Sequence, residues 1–339
     1  MRALGFCSKW ISLGGLESNQ VIALVYQLRV AHRALSADSK KYIPRRAVLY
    51  VPGNDERKLK KIPSLSADCI VMDCEDGVAL TKKDAARSKI FEVLNNQKID
   101  FSSKDCSVRF NSVDSGLCHA DMTEILASQY LPDTIHLPKV DNSAQLEWFS
   151  DNLKNILKDR NLKEKIRLII FTESAQSLLG LSDICKRAIE LSQNSPFTLD
   201  GIVFGSDDYC ADIGATRTSE AKELLFARQY VVTVAKAFRL QAIDLVYIDY
   251  KDLSGLRIQS EEGAGMGFTG KQVIHPGQVQ IVQEAFSPSP AKLEWARKLI
   301  EGFEQHQKEG KGAFTFQGHM IDMPLLLQAQ NIFKLDSAI

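Results

Sequence analysis

The stretch GIVFGSDDYCADIGATR, residues 201–217, sets the reading of the fold. Its opening, GIVFG, is apolar without polar alternation, as a strand must be when helices cover both of its faces. Directly after it come Asp207 and Asp208, then Asp212, so acid is concentrated where a hydrophobic strand ends. Seven other short runs repeat the pattern: RAVLYV (46–51), CIVMD (69–73), CSVRF (106–110), TIHLP (134–138), RLIIF (167–171), DLVYI (244–248) and KQVIH (271–275). Between them lie segments of helical periodicity or composition, among them KKDAARSKIFEVLNN, SAQLEWFSDNLKNILK, SAQSLLGLSDICKRAIEL and SEAKELLFARQYVVTVAKAF. Eight strands, each followed by a helix, predict a parallel sheet closed into a (β/α)8 TIM barrel over residues 42–288. Residues 289–339 then form a C-terminal helical extension. An open doubly wound sheet is the alternative, but it usually has fewer strands and wants a phosphate loop after the first.

The glycine-rich stretch GAGMGFTGK (263–271) does not supply that loop. Gly265, Gly270 and Lys271 fit the spacing of a P-loop, yet Gln272 stands where a Ser or Thr would reach Mg²⁺, and the glycines precede a strand instead of leaving one. A helix-to-strand connection is the better account.

The chain has 339 residues, 45% of them hydrophobic, and 42 basic residues balance 42 acidic ones. No global field favours nucleic acid or an anionic membrane, so neither is expected as a partner. The seven cysteines are odd in number and contain no C-x-x-C pair, which points to buried free thiols and away from a disulfide framework or zinc site. Residues 1–41 differ from the rest: Arg2, Lys9, Arg29, Arg33, Lys40 and Lys41 face only Glu17 and Asp38, and arginines sit among apolar residues. That composition fits a mitochondrial transit peptide, with an ordinary N-terminal helix as the plain alternative. No run after it approaches the ~20 apolar residues of a membrane span, so a soluble mature protein is expected.

Barrel enzymes keep their chemistry at the C-terminal ends of the strands. Those ends carry Tyr50; Asp73, Glu75 and Asp76; Arg109 and Asn111; Lys139; Glu173; Asp207 and Asp208; Asp249; and His275. Charges gathered on one rim repel unless compensated, and Arg109, Lys139 and a bound cation are candidates for that task. Glu173, Asp207 and Asp208 offer hard oxygen ligands, and two carboxylates with water and substrate oxygens are how proteins usually hold Mg²⁺, although helix capping would also explain the aspartates. Arg57, Lys58, Lys60 and Lys61 follow the first strand on the same rim, as phosphate contacts or as a solvated helix face. His136, within a strand, reads as a core or rim histidine. Asp322, an isolated acid between apolar residues, is either a proton-transfer group or a helix cap.

Taken in order, RAVLYVPGND, VMDCEDGV, VRFNS, LPKV, FTES, VFGSDDY, DIGATR, AIDLVYID, GFTGKQVIHP and GAFTFQGHMIDMP resemble the HpcH/HpaI aldolase and citrate lyase β-subunit superfamily over about residues 42–335. The resemblance implies a Mg²⁺-dependent barrel enzyme that breaks a carbon–carbon bond in a CoA thioester. In a mitochondrial matrix member, that means cleaving (3S)-citramalyl-CoA to acetyl-CoA and pyruvate, with malate formation from glyoxylate and thioester hydrolysis as side activities. It implies Glu173 and Asp208 as metal ligands, Tyr50, Arg57 and Lys61 as CoA contacts, Arg109 as the substrate-binding arginine and Asp322 as the catalytic acid. Asp207 departs from the family, which commonly has glutamate there. A homotrimer in which one subunit's C-terminal segment covers a neighbour's active site is likewise implied. Two other functions stay open: an aldolase for free oxo-acids without CoA, and a non-catalytic subunit of a lyase complex.

Overall fold

The computed structural model of the protein describes residues 42–96, 99–101, 104–308, 314–321 and 323–336. The segment read as a transit peptide, 1–41, and Asp322 lie outside them. Eight parallel strands close in sequence order, with β1 (Ala47–Pro52) pairing both β2 (Cys69–Asp73) and β8 (Gly270–Val273). Between them run β3 (Asp105–Arg109), β4 (Thr134–Leu137), β5 (Ile166–Thr172), β6 (Phe197–Phe204) and β7 (Gln241–Asp244). The connections carry α1 (Glu56–Leu59), α2 (Lys83–Asn96), α3 (Cys118–Ile125), α4 (Ser143–Leu157), α5 (Ala175–Gln193), α6 (Ser206–Ile213), α7 (Leu225–Ala237), α8 (Leu253–Met266) and α9 (Val279–Ala285). The expected barrel is the observed one.

Local chemistry starts and stops these helices where the sequence provides caps. Asn142 and Gln145 form a reciprocal capping box on α4, and Ser174 caps α5. Gly267, at φ 104°, ends α8 in a left-handed turn, so the glycine-rich stretch is the helix-to-strand connection expected of it.

Three strand boundaries depart most from the sequence reading, the first being the sixth strand, which begins at Phe197, ahead of the apolar run that opens at Gly201. The seventh strand is 241–244, not 244–248: Gln241, Ala242 and Ile243 pair with Gly201, Ile202 and Val203, and the chain then leaves the sheet. Leu245 and Tyr247 are buried under the rim loop instead, so burial outside a strand produced the same apolar run. Likewise β8 stops at Val273, leaving Ile274 and His275 on the rim. The short helix α6, which carries both aspartates, has no side-chain cap; Gly205 occupies its N-cap position. Neither Asp207 nor Asp208 is therefore a capping residue. Asp212 instead accepts from the backbone N–H of Ala175 at 2.7 Å, tying α6 to the start of α5.

Alternation along the strands separates two apolar layers. Leu49, Ile70, Val108, Ile135, Leu168, Ile202 and Ala242 face the helices within the main core. Val48, Val71, Ile169, Phe171, Val203 and Ile243 fill the lumen, with Tyr50 packed on top. Below them, the fully buried Arg45 closes the floor through Asp105, Asp200 at 2.7 Å and Thr134 Oγ1 at 2.9 Å. A register shift between β5 and β6 places Asp200 for that contact, since Leu168 pairs with Leu199 but Ile169 with Gly201.

Beyond the barrel, α10 (Pro290–Lys308), β9 (Phe314–Phe316), β10 (His319–Ile321) and α11 (Met323–Asp336) build a small unit around Ala296, Leu299, Ile321, Leu326 and Ala329, a cluster distinct from the barrel's. The six described cysteines are all buried and free. Among the described residues, no helix is long and apolar enough to cross a membrane.

Candidate active site

The register of β2 and β3 sets Asp73 opposite Arg109, both at strand ends. Arg109 donates Nε and Nη2 to the two Asp73 oxygens, each at 2.7 Å, and its Nη1 lies 2.9 Å from Glu75. A guanidinium has five donors, so one N–H on each terminal nitrogen is left for a ligand. Cζ sits 4.8 Å from the Tyr50 ring centroid, a cation over an aromatic face. Asp73 also accepts from the backbone N–H groups of Glu75 (2.8 Å) and Gly77 (2.9 Å), so the turn after β2 wraps its carboxylate. Only glycine fits at 77, because a Cβ there would stand 2.5 Å from Asp73 Oδ2.

Glu75 continues the network to Lys139, whose ammonium is 2.8 Å from Glu75, 3.4 Å from Asp76 and 3.5 Å from Asp208. Lys139 is held above its ordinary pKa: burial acts in the opposite direction and is outweighed by these three carboxylates. Its backbone N–H donates to Glu173 Oε2 at 2.9 Å. Glu173 is buried at the end of β5 beneath Gly205, where a Cβ would come within 2.2 Å of Glu173 Cγ. Burial first, then the charges of Glu75 and Asp208, push Glu173 up to about 8. Asp208 lies in the first turn of α6, half exposed. Asp207 faces Arg217 at 3.7 Å, and burial raises its pKa.

Tyr50, Arg57, Lys61, Arg109, Glu173 and Asp208 all line one cavity of about 640 Å³ at the C-terminal mouth of the barrel. Arg57, Lys58 and Lys61 stand exposed on its outer side, Arg109 and Glu173 at its buried end. Asp207, His275 and Gln272 line it too. Two residues of the expected rim are elsewhere in role: Asn111 is bonded to Asp121 through its backbone and side chain, and Asp249 sits in an exposed turn accepting from Lys251 N–H. His136 is fully buried in the lumen, edge-on to Tyr50 and Phe171, and burial pushes it down to about 3. It is a core histidine.

Sequence reasoning saw Asp73, Glu75 and Lys139 as rim charges but not as one chain of ion pairs linking Arg109 to Asp208. It also passed over Gly77 and Gly205, whose signal was a glycine beside an acidic strand end in VMDCEDGV and VFGSDD.

The carboxylates fit a divalent cation. Glu173 and Asp208 line one cavity beside Glu75, and burial first, then the charges of Glu75 and Asp208, hold the pKa of Glu173 upward against Arg109 and Lys139. Among the described residues no group of three or more His, Cys, Asp or Glu side chains forms a metal site, so an ion here would have two protein ligands and take its other oxygens from water and substrate. That is a common Mg²⁺ arrangement.

Residues 46–276 match the HpcH/HpaI aldolase/citrate lyase family, and the chain belongs to it. It is 54% identical over 304 residues to a mitochondrial citramalyl-CoA lyase of Homo sapiens, covering 90% of this chain and 89% of that protein. It is 31% identical to a (3S)-malyl-CoA thioesterase of Cereibacter sphaeroides, over 87% of this chain and 95% of that one. Among solved structures it resembles the CitE protein of Mycobacterium tuberculosis in complex with magnesium, acetoacetate and coenzyme A, at 25% identity and a TM-score of 0.68, covering 87% and 98% of the two chains.

Proposed function

We propose that the protein cleaves (3S)-citramalyl-CoA to acetyl-CoA and pyruvate in the mitochondrial matrix. The observation that carries this is the layout of the cavity, with cations outside for a CoA phosphate and a carboxylate pair inside for the reacting end. The likeness to the human citramalyl-CoA lyase supports the choice of substrate.

Arg57 and Lys61 receive the phosphates at the mouth, and Tyr50 packs against the thioester arm. The two free N–H groups of Arg109 bind the substrate's oxygens and stabilise negative charge as the carbon–carbon bond breaks. Asp73 and Glu75 hold that guanidinium in place, so its orientation is set before substrate arrives. Glu173 and Asp208 would hold Mg²⁺, which would supply the positive charge that acidifies the substrate's hydroxyl beside its carboxylate. Asp322 handles the proton at the acetyl carbon. A homotrimer delivers it, the C-terminal segment 289–339 of one subunit covering the cavity of the next. Residues 1–41 serve as the transit peptide. The same site run in reverse condenses acetyl-CoA with glyoxylate to malyl-CoA, or propionyl-CoA with glyoxylate to β-methylmalyl-CoA; hydrolysis of the thioester then gives malate or β-methylmalate, and the thioesterase relative supports that hydrolysis as a side activity.

Steady-state kinetics with citramalyl-CoA, malyl-CoA and β-methylmalyl-CoA, with and without Mg²⁺, test the proposal. Pyruvate release from citramalyl-CoA that requires Mg²⁺ and is inhibited by free CoA is expected. Turnover of free oxo-acids with indifference to CoA would make the protein an aldolase of another kind, and no turnover at all would make it a non-catalytic subunit.

A further inference from the structure

We propose that Lys139 is the resident counter-ion of Asp208, its ammonium holding that carboxylate and its backbone N–H holding Glu173 when no metal is bound, and that it thereby sets how tightly a divalent cation binds. The inference rests on the metal reading above and goes beyond it, to a residue that tunes the site without ligating the ion.

Lys139 reaches both carboxylates from one residue. Its backbone N–H is 2.9 Å from Glu173 Oε2, and its ammonium is 3.5 Å from Asp208 Oδ2. Among the described residues no other cation pairs with either: Arg109 is engaged by Asp73 and Glu75, and Arg217 by Asp207 and Glu223. The backbone supplies an independent sign. Lys139 has φ 52°, a left-handed conformation that costs any residue with a Cβ and that glycine or asparagine would adopt more readily. That conformation aims the N–H at Glu173 while the side chain turns to Glu75 and Asp208, which accounts for a lysine being kept in a strained position.

Like charges cannot share the site. When a doubly charged ion settles between Glu173 and Asp208, the ammonium leaves Asp208 and stays on Glu75 and Asp76, at 2.8 and 3.4 Å. The ion therefore binds against a nearby positive charge, and its affinity is lower than the two carboxylates alone would give. A substrate carboxylate offsets that charge, so metal and oxo-acid bind more tightly together than apart.

The test measures Mg²⁺ binding to the metal-stripped full-length protein by calorimetry, and melting temperature with and without Mg²⁺. In Lys139→Met the metal-free protein is expected to melt below wild type, its Mg²⁺ dissociation constant to fall at least about tenfold, and its Mg²⁺-induced rise in melting temperature to grow. Lys139→Arg, which keeps the charge, should bind Mg²⁺ as wild type does. Equal or weaker Mg²⁺ binding by Lys139→Met overturns the proposal while leaving the metal site standing. Wild type that binds no Mg²⁺ overturns the metal reading and this inference with it. If Lys139→Met does not fold, Lys139→Asn tolerates the left-handed backbone and gives the same comparison.

Discussion

Gly205→Ala isolates the geometry of the carboxylate site from the stability of the fold. Gly205 has φ −86°, a conformation alanine adopts freely, so the substitution introduces no backbone strain. Its whole effect is the added methyl, which would lie 2.2 Å from Glu173 Cγ, 2.3 Å from Oε1 and 2.7 Å from Cδ. Ordinary contact between such atoms is ~3.5–4 Å, so Glu173 must retreat by more than about 1 Å. It then loses the bond from Lys139 N–H and its place opposite Asp208. A misplacement of ~1 Å in a catalytic constellation costs about 10²-fold in rate. The unfolded chain loses some freedom on Gly→Ala, ~0.4–1 kcal/mol in favour of folding, which partly offsets the repacking. The expected outcome is kcat/KM for citramalyl-CoA down by about 10²-fold, a raised Mg²⁺ requirement, and a urea-unfolding free energy within ~2 kcal/mol of wild type. Full activity with an unchanged Mg²⁺ titration would refute the assignment of Glu173 beneath Gly205 as a ligand.

Asp322→Asn should lose ~10²–10⁴-fold in turnover while retaining CoA-thioester binding, measured by pyruvate release and by calorimetry with acetyl-CoA; near-normal turnover removes Asp322 from the mechanism. Replacing Arg57 and Lys61 together by alanine should raise KM for the CoA thioester about tenfold or more with kcat little changed, and leave KM for the pantetheine thioester alone. An equal effect on both substrates would deny the two residues a phosphate role. His136 is depressed from its ordinary 6.5 to about 3, so between those values the unfolded chain binds a proton that the folded protein does not. Its contribution to stability is present above about pH 6.5 and lost as pH falls toward 3, and urea midpoints from pH 7 to 4 should fall more steeply for wild type than for His136→Leu. Identical slopes would show that His136 does not titrate with unfolding.

The barrel was legible because its strands are buried on both faces, and continuous apolar runs mark such strands regardless of what they pack against. The same rule failed at DLVYI, where Leu245 and Tyr247 are buried by a rim loop and not by a strand, while the real strand, QAID, hides behind a polar Gln241 and an Asp244 held by Arg228. The position of the candidate ligands was legible too, since carboxylates at strand ends have one pocket to face. Their linkage was not. That Asp73 anchors Arg109, or that Lys139 spans from Glu75 to Asp208, depends on strand register and on one left-handed residue, and neither leaves a periodic trace in sequence.

The Asp105 carboxyl at the floor of the barrel and the Glu173 carboxyl at its mouth are held in opposite electrical states. At the floor, burial works against ionisation of Asp105, yet Arg45 and Thr134 hold its carboxyl below the ordinary range. Arg45 is matched there by Asp105 and Asp200 and bonds Thr134, which closes the lumen. At the mouth, Glu173 is pushed up to about 8 because burial and two neighbouring carboxylates outweigh the cations available. A buried group left that far from its ordinary value costs stability, and a purely structural rim would be expected to neutralise it with an apolar side chain. The Tyr50 hydroxyl, buried in the same cavity with no hydrogen-bond partner among the described residues, repeats the point with a neutral group. Both deficits are of a kind that binding removes: a cation for the carboxylates and an acceptor for the phenol.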